Sequence, residues 1–273
     1  MRRSIPAIAF AAAALIAGAP GAQAVTNLVT NGEFNSFTSH GANNQIASPS
    51  TTGSASVLSN WANSGYTFDY TPGANPAANC AERGCGGPLS LWNSTNGGVS
   101  STTGGVVSSG NTTFTAVPGG TGSNFIAVDP VYQSAAPDLT QTISGLMVGG
   151  LYDLTFYYAG AQQTGFSGAT TEGWTGSLGR SGFTTATIND ASHGFTPWVQ
   201  ATFAFIATSA SEVLSFTATG GPASGDPPFA LLADVSLTYA PEPATWAVMM
   251  AGFGGLALAG RLVRRRRRPA IAA

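Results

Sequence analysis

The sequence predicts an all-β fold, an antiparallel β-sandwich, for the long central part of the chain. Between positions 25 and 240, apolar residues alternate with polar ones in several stretches, and no stretch has the 3.6-residue period of an amphipathic helix. Clusters of glycine and proline separate these stretches, for example at 148–150, 219–222 and 225–228. Many short strands joined by turns favour two packed antiparallel sheets.

The clearest strands lie in the second half of the chain. Alternation is strongest over 231–239, and the runs 153–158 and 199–205 show the same pattern. Further strands are predicted at 27–30, 124–129, 139–143, 183–189 and 213–219. Two stretches rich in Gly, Ser and Thr, 96–124 and 160–182, lack apolar alternation and are predicted to be long loops.

The N-terminus has the pattern of a secretory signal peptide. Arg2 and Arg3 precede an apolar run over 5–19, which is too short to span a membrane. Ala22 and Ala24 then form the small-x-small site that signal peptidase cleaves. We therefore expect residues 1–24 to be removed after Ala24, and the chain to be exported.

The C-terminus combines a stiff tripeptide, an apolar helix and a basic cluster. Pro241, Glu242 and Pro243 precede an uncharged run, and a transmembrane helix is predicted over 245–263. An arginine cluster follows at 264–268 and should stay on the cytoplasmic side, so that the residues before 241 lie outside.

Residues 241–273 resemble the PEP-CTERM sorting domain in its PEPxxWA variant. Pro241-Glu242-Pro243, Trp246 with Ala247, the helix and the arginine cluster occur in the order of that family. The resemblance implies recognition by an exosortase, a membrane-embedded peptidase, and release from the inner membrane to the cell surface or extracellular matrix. A plain C-terminal anchor that is never processed is the alternative.

The exported part, residues 25–240, is acidic and sparsely charged. It contains eleven acidic residues and only two arginines, Arg83 and Arg180, and the whole chain has no lysine. Its formal charge of −9 argues against electrostatic binding of nucleic acid. The only cysteines, Cys80 and Cys85, are separated by four residues, and in an oxidising compartment we expect them to form a disulfide.

Residues 25–240 resemble the jelly-roll domains of carbohydrate-binding modules. The matching segments are the opening 27–34 (NLVTNGEF), the hairpin 141–156 (QTISGL followed by GLYDLTF) and the closing strand 230–237 (ALLADVSL). Their order matches that of the family, so the resemblance implies a single jelly-roll domain over 25–240.

The same resemblance implies a structural calcium ion between the opening and closing segments. Asp234 matches the acid of the closing strand, and Glu33 and Asn35 are the oxygen-bearing residues at the opening. Asn35 stands where the family commonly has Glu. The alternative for Asp234 is a carboxylate that hydrogen-bonds a neighbouring loop.

Aromatic side chains are the expected contacts for a glycan. Trp61 and Trp198 fall on strand-like positions and are predicted to lie in the core. Trp92 and Trp174 lie among polar residues and are the predicted glycan contacts, the alternative being that they cap an edge of the sandwich. No spacing of Ser, His, Asp or Cys indicates a catalytic site, and without lysine there is no P-loop.

We therefore predict an exported, non-enzymatic protein that associates with exopolysaccharide. A purely structural matrix or envelope protein without a specific ligand is the first alternative. A glycan-active enzyme that uses paired carboxylates is the second.

Overall fold

The computed structural model describes residues 26–39, 45–47, 55–70, 91–92, 97–102, 105–106, 124–132, 137–222 and 226–240. These residues form sixteen strands and no helix, which confirms the predicted all-β class. The strands are β1 (Phe37–Ser39), β2 (Val57–Leu58), β3 (Ala62–Asn63), β4 (Thr67–Tyr70), β5 (Val99–Thr102), β6 (Gly105–Val106), β7 (Phe125–Val128), β8 (Leu139–Ser144), β9 (Leu151–Gln162), β10 (Thr170–Leu178), β11 (Ser181–Thr184), β12 (Ile188–Asp190), β13 (Gly194–Phe195), β14 (Val199–Ile206), β15 (Ser211–Gly221) and β16 (Pro228–Tyr239).

Most strands belong to two sheets, which are consistent with a β-sandwich. The large sheet has the order β4–β7–β16–β9–β13–β5–β6, and β14 also pairs with β9. The small sheet has the order β11–β10–β15–β8–β3, and β12 pairs with β10. Among the named strands that are described, only β5 and β13 pair in parallel; the other pairs are antiparallel.

The main core lies between the two sheets, where β10 contacts both β9 and β16. Phe156 of the large sheet meets Phe216 of the small sheet edge to face, with ring centroids 5.2 Å apart. Trp174 packs on Phe216 at 6.0 Å, and its indole N–H donates to the Leu231 carbonyl of the large sheet at 3.0 Å. Each such buried aromatic side chain contributes about 1.5 to 3 kcal/mol by leaving water.

The opening segment is held against a bulge in β16. Pairing of β16 with β9 is irregular between Ala233 and Ser236, and within this bulge the Val235 N–H donates to the Gly32 carbonyl at 3.0 Å. A Cβ on Gly32 would lie 1.9 Å from the Val235 carbonyl oxygen, so the close approach requires glycine. This contact therefore holds the opening segment against β16.

Asn31 organises the turn that follows. Its backbone is left-handed, with a φ of 55°, which asparagine tolerates better than most residues. Its side chain accepts the Ser36 N–H and donates to the Ser59 carbonyl, while its own carbonyl accepts the Trp61 indole N–H at 3.0 Å. Trp61 is buried in the core, as predicted.

Several strand predictions are confirmed, whereas two strand predictions and one loop prediction are wrong. Strands β7, β8, β9, β14, β15 and β16 occur where alternation predicted them. The predicted strand at 27–30 is only an isolated bridge from Asn27 to Thr238, and 183–189 is divided between β11 and β12. The predicted loop 160–182 contains all of β10 and parts of β9 and β11. The sequence of β10 lacks a clear alternation of apolar and polar residues. Thr, Gly and Ser occupy its solvent side, and two polar residues occupy its buried side.

Other predictions concern residues outside those described. They are the signal peptide with Ala22 and Ala24, the pair Cys80 and Cys85, and the tail with Pro241, Glu242, Pro243 and Trp246. In the predicted loop 96–124, the described residues include β5 and β6. None of the described segments forms a helix that is long and apolar enough to cross a membrane.

Candidate functional site

The outer face of the large sheet, which points away from the small sheet, has an open polar part. Residues directly opposite one another in an antiparallel sheet point to the same face, so the register shows which side chains are neighbours. We call the exposed set the polar strip. It has three rows, each centred on one residue of β9. Tyr157 lies beside Gln200 of β14. Thr155 lies between Ser236 of β16 and Thr202 of β14, and Asp153 lies between Thr238 of β16 and Ala204 of β14.

The side chains of the polar strip are accessible and carry both donors and acceptors. Gln200 and Thr202 are exposed, and Asp153, Thr155 and Tyr157 are partly exposed. An amide, hydroxyls and one carboxylate therefore lie beside an aromatic ring. These are the groups that bind the hydroxyls and the apolar face of a neutral sugar.

Beyond Tyr157, the outer face is covered and apolar. A second buried cluster lies there, formed by Phe68, Tyr70, Leu91, Phe125, Ala127, Ala159, Ala161, Phe195, Phe229, Leu231 and Ala233. Tyr157 and Trp198 are only partly buried and pack against this cluster, and the Trp198 ring meets Phe125 at 5.5 Å. Trp198 is thus not in the core between the sheets, where it was predicted. Tyr157 and Trp198 form the boundary between the covered and the open parts of this face.

Trp92, one of the predicted glycan contacts, lies at the end of β9. It is half-buried, and its ring centroid lies 4.4 Å from that of His193. Its indole N–H donates to the Phe166 carbonyl at 3.1 Å, and its backbone N–H donates to the Gln162 carbonyl. Part of the ring remains accessible, but its polar edge is already satisfied within the protein.

The structure places Trp174, the other predicted contact, in the core. The residue lies in β10 and not in a loop, and its side chain has no exposed surface. Because the indole N–H donates a hydrogen bond to the Leu231 carbonyl, the polar group of the side chain has its partner inside the core. Trp174 therefore cannot stack on a sugar in this structure, and the sequence-based assignment of this residue is corrected.

The structure brings together the two carboxylates of the predicted calcium site. Glu33 lies close enough to Asp234 to raise its pKa, although burial is the larger cause of that increase. Asp234 lies in the β16 bulge with a φ of 53°. The alternative, a bond from Asp234 to a neighbouring loop, is not favoured by any contact of Asp234 itself in the described residues.

Asn35 does not complete this site well. Its side-chain oxygen accepts the Asn124 N–H at 2.8 Å, and its amide group donates to Glu33 at 3.1 Å. Since calcium prefers six to eight oxygen ligands, Glu33 and Asp234 alone form an incomplete set. Throughout the described ranges, no three His, Cys, Asp or Glu side chains lie close enough to hold a metal by themselves. The three-residue site with Asn35 does not fit, and calcium there stays a prediction for Glu33 and Asp234.

A polar groove of about 350 Å³ lies at the edge of the small sheet. Thr30, Asn60, Ala62, Thr140, Gln141 and Thr142 line it. Gln141 bridges backbone groups there, because its amide accepts the Thr30 N–H and donates to the carbonyls of Thr30 and Asn60. The groove has no aromatic lining residue, so it is less suited to a pyranose than the polar strip.

Comparisons with known proteins identify similar folds only. No protein-family model matches the chain, and no curated protein matches it. Among solved structures, the EclA C-terminal domain, a sugar-binding protein, is 19% identical with a TM-score of 0.29, and the match covers 41% of this chain and 76% of that one. A protein of Bacteroides thetaiotaomicron, described as sugar-binding, is 11% identical with a TM-score of 0.34, over 79% and 100%.

The third similar structure is that of the CBM22-1–GH10 modules of xylanase 10B from Clostridium thermocellum, complexed with xylohexaose. It is 15% identical with a TM-score of 0.26, and the match covers 44% of this chain but only 22% of that one. Similarity at these identities and scores carries no conclusion about the ligand of this chain.

Proposed function

We propose that residues 25–240 form a non-enzymatic module that associates with a neutral polysaccharide. The observation that carries the proposal is the polar strip, an open surface of one amide, hydroxyls and a carboxylate beside Tyr157 and Trp198. Sugar rings present an apolar face for stacking and hydroxyls at their edges, and this surface offers a partner for each.

The charges of the module favour a neutral ligand over an anionic one. Asp153 lies in the polar strip, and β16 carries Asp234 at its bulge with Glu33 nearby. Arg180, the one arginine within the described ranges, is exposed in the turn between β10 and β11 of the small sheet. An anionic polymer on the strip would meet repulsion, and no cationic side chain in the described part of the module lies beside the strip to offset it.

We further propose that the module reaches its polysaccharide by export and sorting. The signal peptide, cleaved after Ala24, directs the chain across the inner membrane, and the 245–263 helix then holds it there. An exosortase that recognises the PEP motif releases the module to the cell surface or extracellular matrix. This proposal rests on the sequence of the two ends alone.

Polysaccharide affinity electrophoresis with the module tests the binding proposal. Gels contain one neutral polysaccharide each, such as xylan, β-glucan or galactomannan, and retardation gives the affinity. Truncation of the ring in Tyr157→Ala should weaken binding by roughly 3- to 10-fold, because it removes a stacking surface. Gln200→Ala, at an exposed position, should weaken it less and leave the thermal midpoint unchanged.

Thr219→Ala is the matched control, since Thr219 is exposed on the small sheet. Its affinity should equal that of the wild type. If the module binds no neutral polysaccharide, the proposal is wrong and a purely structural matrix role replaces it. If it binds but neither Tyr157→Ala nor Gln200→Ala weakens binding, the polar strip is not the site.

A further inference from the structure

One end of the sandwich exposes a cluster of apolar side chains. Strands β8, β14 and β16 end there, and β9 and β15 begin there. Half of the eight large apolar side chains that are exposed in the described residues lie at this end. They are Met147, Val148 and Ile206, which are 62%, 63% and 60% exposed, and Tyr239, which is 39% exposed. Single exposed apolar residues are common on protein surfaces, but a cluster of them indicates a contact surface. We call these four residues the end patch.

The residues of the end patch are neighbours because backbone hydrogen bonds join the two turns that lie at this end. The Gly149 N–H donates to the Ala207 carbonyl at 2.8 Å, and the Ala207 N–H donates to the Gly150 carbonyl at 3.0 Å. The ring of Tyr239 lies against the same turn, since a Cβ on Gly150 would be 3.0 Å from its Cε2 atom. The four side chains of the end patch therefore lie close together.

The turn between β8 and β9 does not itself require apolar residues. The Gly150 N–H donates to the Met147 carbonyl at 2.8 Å, which closes a four-residue turn with Val148 and Gly149 at its centre. Gly149 has a φ of 82°, which glycine adopts without strain, so the backbone needs are met there. Turns that face water usually carry Pro, Asn, Asp or Ser, whereas this tip carries Met and Val. Its apolar area would be stabilised by burial against another surface.

The chain leaves the module beside the end patch. The Ala240 N–H donates to the Leu151 carbonyl at 2.9 Å, so the last described residue is fixed at this end. Only residues 241–244 separate it from the transmembrane helix predicted over 245–263. From 240 to 245 a fully extended chain spans at most about 18 Å. When the tail crosses the membrane, this end of the module is therefore held close to the bilayer surface.

We propose that the end patch rests on the outer surface of the inner membrane while the tail anchors the module, an inference that depends on the proposed insertion of the tail. Aliphatic side chains and Met enter the boundary between headgroups and acyl chains, and Tyr is favoured at that interface. Arg180 is exposed in the neighbouring turn, where the Gly179 N–H donates to the Val213 carbonyl. Its long side chain can reach lipid phosphates.

The tail makes this contact effective. A few apolar side chains bind a membrane only weakly by themselves. Tethering by the tail gives the end patch a high effective concentration at the bilayer, so the contact forms while the tail is present. Removal of the tail would abolish this advantage and let the module leave the membrane. The polar strip lies on the outer face of the large sheet, so the two surfaces can be tested separately.

Oxidation of Met147 in the full chain tests this proposal without an added label. Met147 is the one methionine between positions 25 and 240. The chain is reconstituted into phosphatidylcholine nanodiscs, and its co-elution with the discs shows that the tail is inserted. Periodate, a charged oxidant that stays in the water, then converts accessible methionine to the sulfoxide. Mass spectrometry of the peptide that contains Met147 gives the rate.

Val148→Asp/Ile206→Asp should lift the end patch off the bilayer, because carboxylates are costly within the membrane. We expect Met147 to be oxidised several-fold faster in this variant than in the wild type, both in nanodiscs. Each rate is divided by that of the same chain unfolded in urea, which removes any direct effect of the substitution next to Met147. Both substituted positions are exposed, so the thermal midpoint should equal that of the wild type.

Tyr132→Asp is the matched control, because Tyr132 is 62% exposed, like Met147, and follows β7, which pairs with the opposite end of β16. Its Met147 should be oxidised at the wild-type rate. Equal rates for the wild type and Val148→Asp/Ile206→Asp, in chains that co-elute with the discs, would overturn the proposed contact and leave the insertion of the tail standing. A chain that does not co-elute shows instead that the tail proposal is wrong, and the membrane contact is then wrong with it.

Two further outcomes decide the proposal from the wild type alone. A wild type whose Met147 reacts in nanodiscs as fast as in urea overturns it, whether or not the double variant folds. Slow oxidation only in discs that hold two chains would identify a second copy of the module, not lipid, as the partner of the end patch. That result would also overturn the proposal.

Discussion

At the scale of single residues, buried acids make the stability of the module depend on pH. Asp69, in β4, accepts the Asn124 side-chain amide at 3.2 Å with each oxygen, but burial outweighs this bond and raises its pKa to about 7. Burial likewise raises the pKa of Asp129 to about 6. In the unfolded chain both acids ionise near pH 4. The protonated acids therefore stabilise the folded state fully below about pH 4. This stabilisation is lost as the pH rises through their folded-state pKa values of about 6 and about 7.

Asp69→Asn should flatten this dependence. For a shift of about three pKa units, the wild type should lose roughly 2 to 4 kcal/mol between pH 4 and pH 7.5 through Asp69. The variant cannot ionise, so its free energy of unfolding should fall less over this range. Urea unfolding in EDTA at several pH values measures the difference.

Thr219→Ala, at an exposed position of the small sheet, is the control for Asp69→Asn, because it leaves every acid in place. Its pH dependence should match that of the wild type. Equal slopes for Asp69→Asn and the wild type would contradict the view that burial raises the pKa of Asp69 in the folded protein.

The aromatic residues show why single positions of the site are hard to predict from sequence. Trp174 was assigned to a polar loop because Thr, Glu and Gly surround it, yet it lies in the core. Trp198 was assigned to the core but borders the polar strip. Tyr157 was recognised as a strand residue, but the sequence does not show which of its two faces stays open. That depends on which part of the large sheet the second apolar cluster covers.

At the scale of elements, the fit between the opening segment and β16 is the most specific local feature. Strand β16 is irregular between Ala233 and Ser236, and Asp234 takes a left-handed backbone there. The irregularity lets Val235 bond to Gly32, while Leu237 accepts the Leu28 N–H. The first and last segments of the module are thereby joined.

Gly32→Ala should destabilise the module by roughly 2 kcal/mol or more. The added methyl group would lie 1.9 Å from the Val235 carbonyl oxygen, so the backbone of one segment must move. The matched control is Gly182→Ala in β11, whose Cβ would meet nothing closer than 3.5 Å. Thermal and urea unfolding of both variants measure the effect. Equal stabilities for the two variants would show that the opening segment is not tightly docked.

Strands were predictable where one face is apolar and the other polar. β14 and β16 meet that condition, and their predicted ranges were nearly correct. β10 does not, because its buried side includes Thr170 and Glu172 as well as Trp174. The buried side of β10 packs against β9 and β16 of the large sheet, and period-two patterns within β10 cannot reveal such packing.

At the scale of the whole molecule, charge is divided between the module and its ends. The module carries eleven of the twelve acids, while eight of the ten arginines belong to the two terminal segments. An acidic, lysine-free module on the outer side and an arginine cluster on the cytoplasmic side agree with the proposed orientation. In the proposed function the tail directs location and the polar strip binds the polysaccharide, so the two proposals are testable separately.

Changes in the PEP motif should block processing without affecting the fold. We expect Pro241→Ala/Glu242→Gln/Pro243→Ala, expressed in a host that contains an exosortase, to remain in the inner membrane with its tail intact. The wild type should lose the tail and appear at the cell surface or in the medium. Mass spectrometry of the C-terminus and cell fractionation measure both outcomes.

Ala272→Ser, at the C-terminal end beyond the arginine cluster, is the control and should be processed like the wild type. A host without exosortase provides the second comparison, in which the wild type should also stay in the membrane. A wild type that keeps its tail in both hosts would establish the plain anchor instead. Identical processing of the wild type and the triple variant would show that release does not depend on Pro241, Glu242 and Pro243.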